Sequence, residues 1–136
     1  RISRRRTVEQ AELLGDMPLA LLTEALDDNR DGAADDAAWA AVQAAAEERI
    51  RSAFGGAAPA RHALAAAHAR KVFLLEILYN RRGFTGEANP HTAAANRVEK
   101  RLEALAAGEV TTDGGDAEPA LIGQAAKIAG LAGNLA

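Results

Sequence analysis

Trp39, Val42, Ala46, Ile50 and Phe54 recur at spacings of three and four residues through the alanine-rich stretch WAAVQAAAEERIRSAF. That spacing sets all five on one stripe of an amphipathic α-helix. Alanine is the commonest residue between them, and it favours helix more than any other residue but fills little volume. Alanine also dominates the 49% hydrophobic fraction of the whole chain, while aromatic residues make up only 4%. A chain of this kind is expected to fold as helices that approach closely around a thin core. Neighbouring copies could complete that core.

The same logic extends along the chain. TVEQ at residues 7–10 has the form of a capping box, with Thr7 as the cap and Gln10 three residues on. It predicts a short helix to Leu14 that stops at Gly15. Asp16 is placed to cap a second short helix with Pro18 in its first turn, and Leu19, Leu22 and Leu26 share one face of it. Asp35 or Asp36 opens the helix that carries the Trp39 stripe, and Gly55-Gly56 ends it. Pro59 starts the next helix, which runs to about Arg82 and is about 36 Å long at the helical rise per residue. Residues 72–79, VFLLEILY, are apolar almost all round, so this is the expected central helix. A strand is the competing reading of that run, and the alanine-rich lead-in favours helix. Asn89-Pro90 reads as a cap with proline at the first helical position, opening a last helix with Ala94, Val98, Leu102 and Leu105 inward and Gly108 at its close.

Beyond Gly108 the character changes. Val110-Thr111-Thr112 could be a short strand, residues 113–119 read as a linker, and LIGQAAKIAGLAGNLA ends the chain almost without charge. The expected fold class is therefore all-α: a compact antiparallel bundle of about four to five helices, with an extended or weakly helical C-terminal tail. The expected organisation is a basic arm over residues 1–6, a helical domain over 7–112, and a linker with an apolar tail over 113–136. The length of 136 residues suits one domain.

Charge is unevenly spread. Residues 1–6 carry a net +4, residues 7–48 a net −10, residues 49–101 a net +7 and residues 102–136 a net −4. Either the acidic and basic segments balance within one chain, or the acidic side of one copy meets the basic side of the next in a head-to-tail ring.

The sharpest chemical signal is DDNRDGAADDAA at residues 27–38, which opens like a calcium loop. Oxygen-bearing side chains stand at loop positions 1, 3, 5 and 9 and glycine at 6. The bidentate acid that such a loop needs at position 12 is replaced by Ala38, and the aliphatic residue of position 8 by Ala34. The expected role is a polar turn that caps a helix, and no metal site is assigned. His62, His68 and His91 lack the spacing of a helical zinc pair, and Ser3 and Ser52 stand in no nucleophile motif. The chain has no cysteine, which excludes disulfides and thiolate chemistry. Glu76, inside the apolar helix, is expected to be partly buried in a salt bridge or subunit contact. Nothing points to catalysis or to a cofactor. No apolar run is long enough to cross a bilayer, and RISRRR lacks the apolar segment of a signal peptide. The arm could grip phosphate through Arg4, Arg5 and Arg6, and Arg81 with Arg82 could join them in touching DNA.

The order of these elements resembles a family of small helical virion proteins of tailed, Mu-like phages, the head–tail connector or adaptor (head-completion) proteins. The resemblance runs over about residues 7–112: TVEQAELLGD with its leucine-rich second helix, the turn DDNRDGAADD, the helix WAAVQAAAEERIRSAF, the central ARKVFLLEILYNRRG, and NRVEKRLEALAAGEV closing at glycine. The segment GGAAPARH is shorter than its counterpart in many family members. The resemblance implies a structural protein, not an enzyme, found in the virion neck and in the host cytoplasm during assembly. It implies a homo-oligomeric ring, usually twelve-fold, beneath the portal protein. That ring extends the DNA channel and offers a surface to a tail-side neck protein. It implies that the C-terminal segment docks on the portal, here through Leu121, Ile122, Ile128, Leu131 and Leu135. In such a ring, Asp27, Asp28 and Asp31 would face Arg97 and Arg101 of a neighbour. Two alternatives stay open: a small helical DNA-binding or regulatory protein, and another neck component such as a tail terminator.

Overall fold

A computed structural model describes residues 7–108. The arm at residues 1–6, the expected strand at Val110-Thr111-Thr112, the linker and the apolar tail lie outside the described residues. Five α-helices follow one another: α1 (Val8–Glu12), α2 (Leu19–Leu26), α3 (Asp36–Phe54), α4 (Ala63–Arg81) and α5 (Thr92–Ala106). There is no strand among the described residues.

The frame is α3, α4 and α5, each packed on the other two. Ring contacts place the helix ends: Phe54 at the end of α3 stacks on His62 just before α4, at 5.7 Å between centroids. Tyr79 near the end of α4 meets His91 just before α5 edge-on, at 4.8 Å. Successive long helices therefore run antiparallel. The predicted stripe is the reason α3 packs as it does, since Trp39, Val42, Ala46 and Ile50 are all buried and Phe54 lies half-buried. The central helix is α4: Val72, Phe73, Leu74, Leu75, Glu76 and Leu78 are buried. From α5 come Ala95, Leu102 and Leu105. The N-terminal elements close the core with Leu13, Met17, Leu22 and Leu26, and α2 packs mainly on α4.

The helix starts hold both agreements and corrections. The capping box is present: the Gln10 backbone N–H donates to Thr7 Oγ1 at 3.0 Å, and the Thr7 N–H donates to Gln10 Oε1 at 3.1 Å. Helix α1 then tightens into a 3-10 turn over Leu13–Gly15. Asp16 does not cap α2. Pro18 takes that position in extended backbone, so Asp16 lies too early to reach the free N–H groups, and its carboxylate meets Lys71 Nζ at 2.9 Å. Helix α4 begins later than Pro59 suggests, because Pro59 caps a 3-10 turn over Ala60–His62. The α-helix proper then has 19 residues, about 28 Å rather than about 36 Å. Helix α5 also starts two residues beyond Pro90. The Asn89 side chain explains this: its Oδ1 accepts the His91 N–H at 2.9 Å, and its Nδ2 donates to Glu76 O at 2.9 Å and Asn80 Oδ1 at 2.8 Å. That buried amide ties the approach of α5 to α4 before the helix can begin. The glycine ends hold as expected, with Gly55 and Gly108 at φ 73° and 77° in the left-handed region that stops a helix.

Arg49 joins all three long helices. Its guanidinium pairs with Glu76 of α4, reaches Glu99 of α5 at 3.3 Å, and lies over the Phe73 ring at 4.4 Å from the centroid. Arg70 does similar work nearer the surface, where it holds Glu9 of α1 at 2.5 Å and Glu47 of α3 at 2.9 Å.

Shifts at Glu9, Asp16 and His91 give this packing a pH dependence. The Arg70 guanidinium hydrogen-bonded to Glu9 holds that carboxyl below its ordinary value. Burial lowers the His91 imidazole below its ordinary value, against the attraction of Asp16 and Glu76. For a base with a lowered folded pKa, the stability contribution is present above the unfolded value and falls as pH drops through about 6.5. For Glu9 it is present above the unfolded value, about 4.3, and falls as pH drops through the lower folded pKa. Denaturant midpoints against pH should therefore decline in two stages, and Arg70→Gln should remove the Glu9 share of the second while leaving that of Asp16, whose carboxyl the Lys71 ammonium holds below its ordinary value.

Candidate functional site: the acidic turn and the ends of α2 and α4

The acidic turn folds on its own side chains. Asp27 accepts the Asp31 N–H on Oδ1 at 2.9 Å and the Gly32 N–H on Oδ2 at 2.8 Å. Asn29 Oδ1 also accepts from Asp31 N, at 3.1 Å, and Asp31 Oδ1 accepts the Ala33 N–H at 2.9 Å. Asp35 is the N-cap residue of α3 by position, yet its carboxylate bonds none of that helix's N–H groups. Asp35 Oδ2 turns back instead to the N–H groups of Asp28 at 2.8 Å and Asn29 at 3.2 Å. The expected capping role is thus corrected at Asp35, whose side chain closes the turn. Asp36, in the first turn of α3, remains well placed against the positive end of the helix dipole.

The backbone bends twice into the left-handed region, at Arg30 with φ 61° and at Gly32 with φ 85°. Only glycine adopts that conformation freely. These bends bring Asp27, Asp31 and Asp35 together, with one carboxylate oxygen from each within 4.8 Å of the others. Those three residues are the ones here that could approach a cation. Their lone pairs already accept backbone N–H groups, and Ala38, at the position of the missing acid, is buried at 3% exposure. With so few charged ligands, calcium should bind no more tightly than about 10⁻⁴ M. Calorimetric titration checks this, and a micromolar constant would overturn it.

Two arginines at the end of α4 face the turn. Arg81 Nε donates to the Ala25 carbonyl in the last turn of α2 at 2.7 Å, and its Nη2 pairs with Asp28. Arg82 Nε meets Glu24 Oε1 at 2.8 Å. Together with Asp27, Arg30 and Gly32 these residues line an open polar cleft of about 880 Å³. Sequence reading gave the acidic turn and these arginines separate roles, and the structure brings them together.

Arg97 and Arg101 lie exposed on α5, and within the chain Arg81 on α4 pairs with Asp28 of the turn. The acidic and basic segments meet inside one molecule at Glu9–Arg70, Asp16–Lys71, Glu24–Arg82, Asp28–Arg81 and Glu47–Arg70. Of the two readings of the charge pattern, balance within one chain accounts for these pairs. Arg4, Arg5, Arg6, Leu121, Ile122, Ile128, Leu131 and Leu135 lie outside the described residues. Of the histidines, His62 is buried, and neither ring nitrogen has a hydrogen-bond partner among the described residues, whereas His68 is exposed. Arg49 was missed in the sequence. Its only signal there is a cation next to Ile50 on the buried stripe.

The fold defines the class: a small all-α protein built on three antiparallel helices. Comparison with protein-family models, with curated proteins and with solved structures finds no match to this chain.

Proposed function

We propose that this protein is a structural head–tail adaptor of a Mu-like tailed phage, acting by assembly rather than by catalysis. The observation that carries this reading is the order of the elements: two short helices, an acidic turn, an alanine-rich helix, an apolar central helix ending in Tyr and Arg, and a helix closing at glycine. An all-α antiparallel bundle is what that resemblance implies, and the described residues form one. No helix among them is long and apolar enough to cross a membrane.

In this reading copies of the chain form a ring, dodecameric in the virion neck, beneath the portal protein. The apolar C-terminal residues Leu121, Ile122, Ile128, Leu131 and Leu135 dock on the portal, and the exposed face of the ring receives a tail-side neck protein. Asp27, Asp28 and Asp31 together with Arg97 and Arg101 supply contacts between neighbours, Asp28 while also pairing with Arg81 of its own chain. The arm arginines Arg4, Arg5 and Arg6 touch passing DNA without reading its sequence, since phosphate contacts carry no base information. Assembly takes place in the host cytoplasm. Negative-stain imaging of the chain mixed with portal rings tests the proposal. Closed rings capping the portal are expected; salt-sensitive DNA binding by a monomer or dimer, with bare portals, would refute it.

A further inference from the structure

Arg81 and Arg82 are adjacent guanidiniums at a helix end, and each is held by a carboxylate from the α2 side. In both pairs the acid is the more exposed partner: side-chain exposure is 63% for Asp28 against 28% for Arg81, and 59% for Glu24 against 39% for Arg82. Each guanidinium thus spends its charge on a carboxylate that is itself open to solvent. A carboxylate there occupies the same fork of donors that a phosphate would take. Arg81 is also anchored from behind, through its Nε on the Ala25 carbonyl, so it stays in place when Asp28 moves.

We propose that Glu24 and Asp28 form an autoinhibitory cover over Arg81 and Arg82, which without it would bind the phosphate backbone of double-stranded DNA. The proposal rests on the reading of this protein as one that DNA passes. Covered, the end of α4 presents paired charges over which a duplex slides. Uncovered, it presents two cations that displace counterions from the duplex. Exposed ion pairs are held weakly, so the cover opens at little cost once its acids are neutralised.

The test uses the full chain in solution and a short duplex of arbitrary sequence, with binding followed by fluorescence anisotropy across a salt series. Glu24→Gln with Asp28→Asn should tighten binding at least about tenfold near about 50 mM salt and steepen the log–log salt slope by about 1.8, the signature of two added phosphate contacts. Adding Arg81→Gln and Arg82→Gln to that variant should return both values to those of the parent. The two arginine changes alone should not lower the parent's salt slope, because the paired arginines make no phosphate contact there; the two carboxylates left unpaired repel the duplex and weaken binding without changing the number of contacts. Glu12→Gln with Glu48→Gln removes the same charge elsewhere on the surface and should change affinity less than about threefold. An unchanged slope in the first variant, an equal gain in the Glu12/Glu48 variant, or a shallower slope on removing the arginines alone would each overturn the cover. Circular dichroism checks that every variant is folded. Ring formation plays no part in this measurement, so failure of the adaptor reading shows as bare portals, and failure of the cover shows in the salt slope.

Discussion

Arg49→Ala is expected to destabilise the fold by about 3 kcal/mol and to lower Tm by about 15 °C. The cause is what the substitution leaves behind. Glu76 is 7% exposed, and its carboxylate would remain in the core without the guanidinium that compensates it. Removing one partner of a buried pair costs far more than the pair contributes, because the desolvation of the survivor is no longer offset. Loss of the cation over Phe73 and of the Glu99 contact adds to the effect. Arg49→Met combined with Glu76→Leu removes both charges and keeps most of the volume, so it should return stability to within about 1 kcal/mol of the parent. Urea denaturation of the single and double variants measures this. A double variant as unstable as Arg49→Ala would show that the guanidinium itself, and not the stranded carboxylate, sets the loss.

Arg49 also marks where sequence reading stops. The stripe of Trp39, Val42, Ala46 and Ile50 was legible because a helix forces its buried residues into a 3.6-residue period, and no partner need be known to see it. Glu76 was legible in part, since a carboxylate in an apolar run must find a cation. Which cation it finds depends on how α3 crosses α4, and local pattern carries nothing about that. The same limit applies at Arg81 and Asp28, 53 residues apart in the chain and joined only when α2 packs on α4. Helix boundaries failed for a different reason. Asp16, Asp35 and Asn89 are all residue types that cap helices, and each side chain had a competing bond: Lys71 for Asp16, the turn's own N–H groups for Asp35, and the Glu76 carbonyl for Asn89. Composition shows that a cap is available, whereas tertiary contacts decide whether it is used. For the acidic turn, the residues at positions 1, 3, 5 and 9 pointed to a polar turn that caps a helix, and did not show that Asp35 closes it on the N–H groups of Asp28 and Asn29. The arginines across the cleft were outside that local pattern.

Deleting residues 119–136 should leave the helical domain folded and abolish its association with the portal. The first half follows from the core. Among the described residues, the last buried apolar side chains are Leu102 and Leu105, at 1% exposure each, and α3, α4 and α5 already pack on one another. The deletion removes none of these side chains, so the urea midpoint should correspond to a stability within about 1 kcal/mol of the parent. The second half rests on the proposed function. The deleted segment holds Leu121, Ile122, Ile128, Leu131 and Leu135 and almost no charge. Five large aliphatic side chains in 18 residues suit a surface that a partner buries, and their removal takes that buried area away at once. Co-sedimentation with portal rings reads the association, and circular dichroism reads the fold. A truncated chain that still caps the portal would move docking to the helical domain. One that unfolds would place the apolar segment in the core of its own bundle.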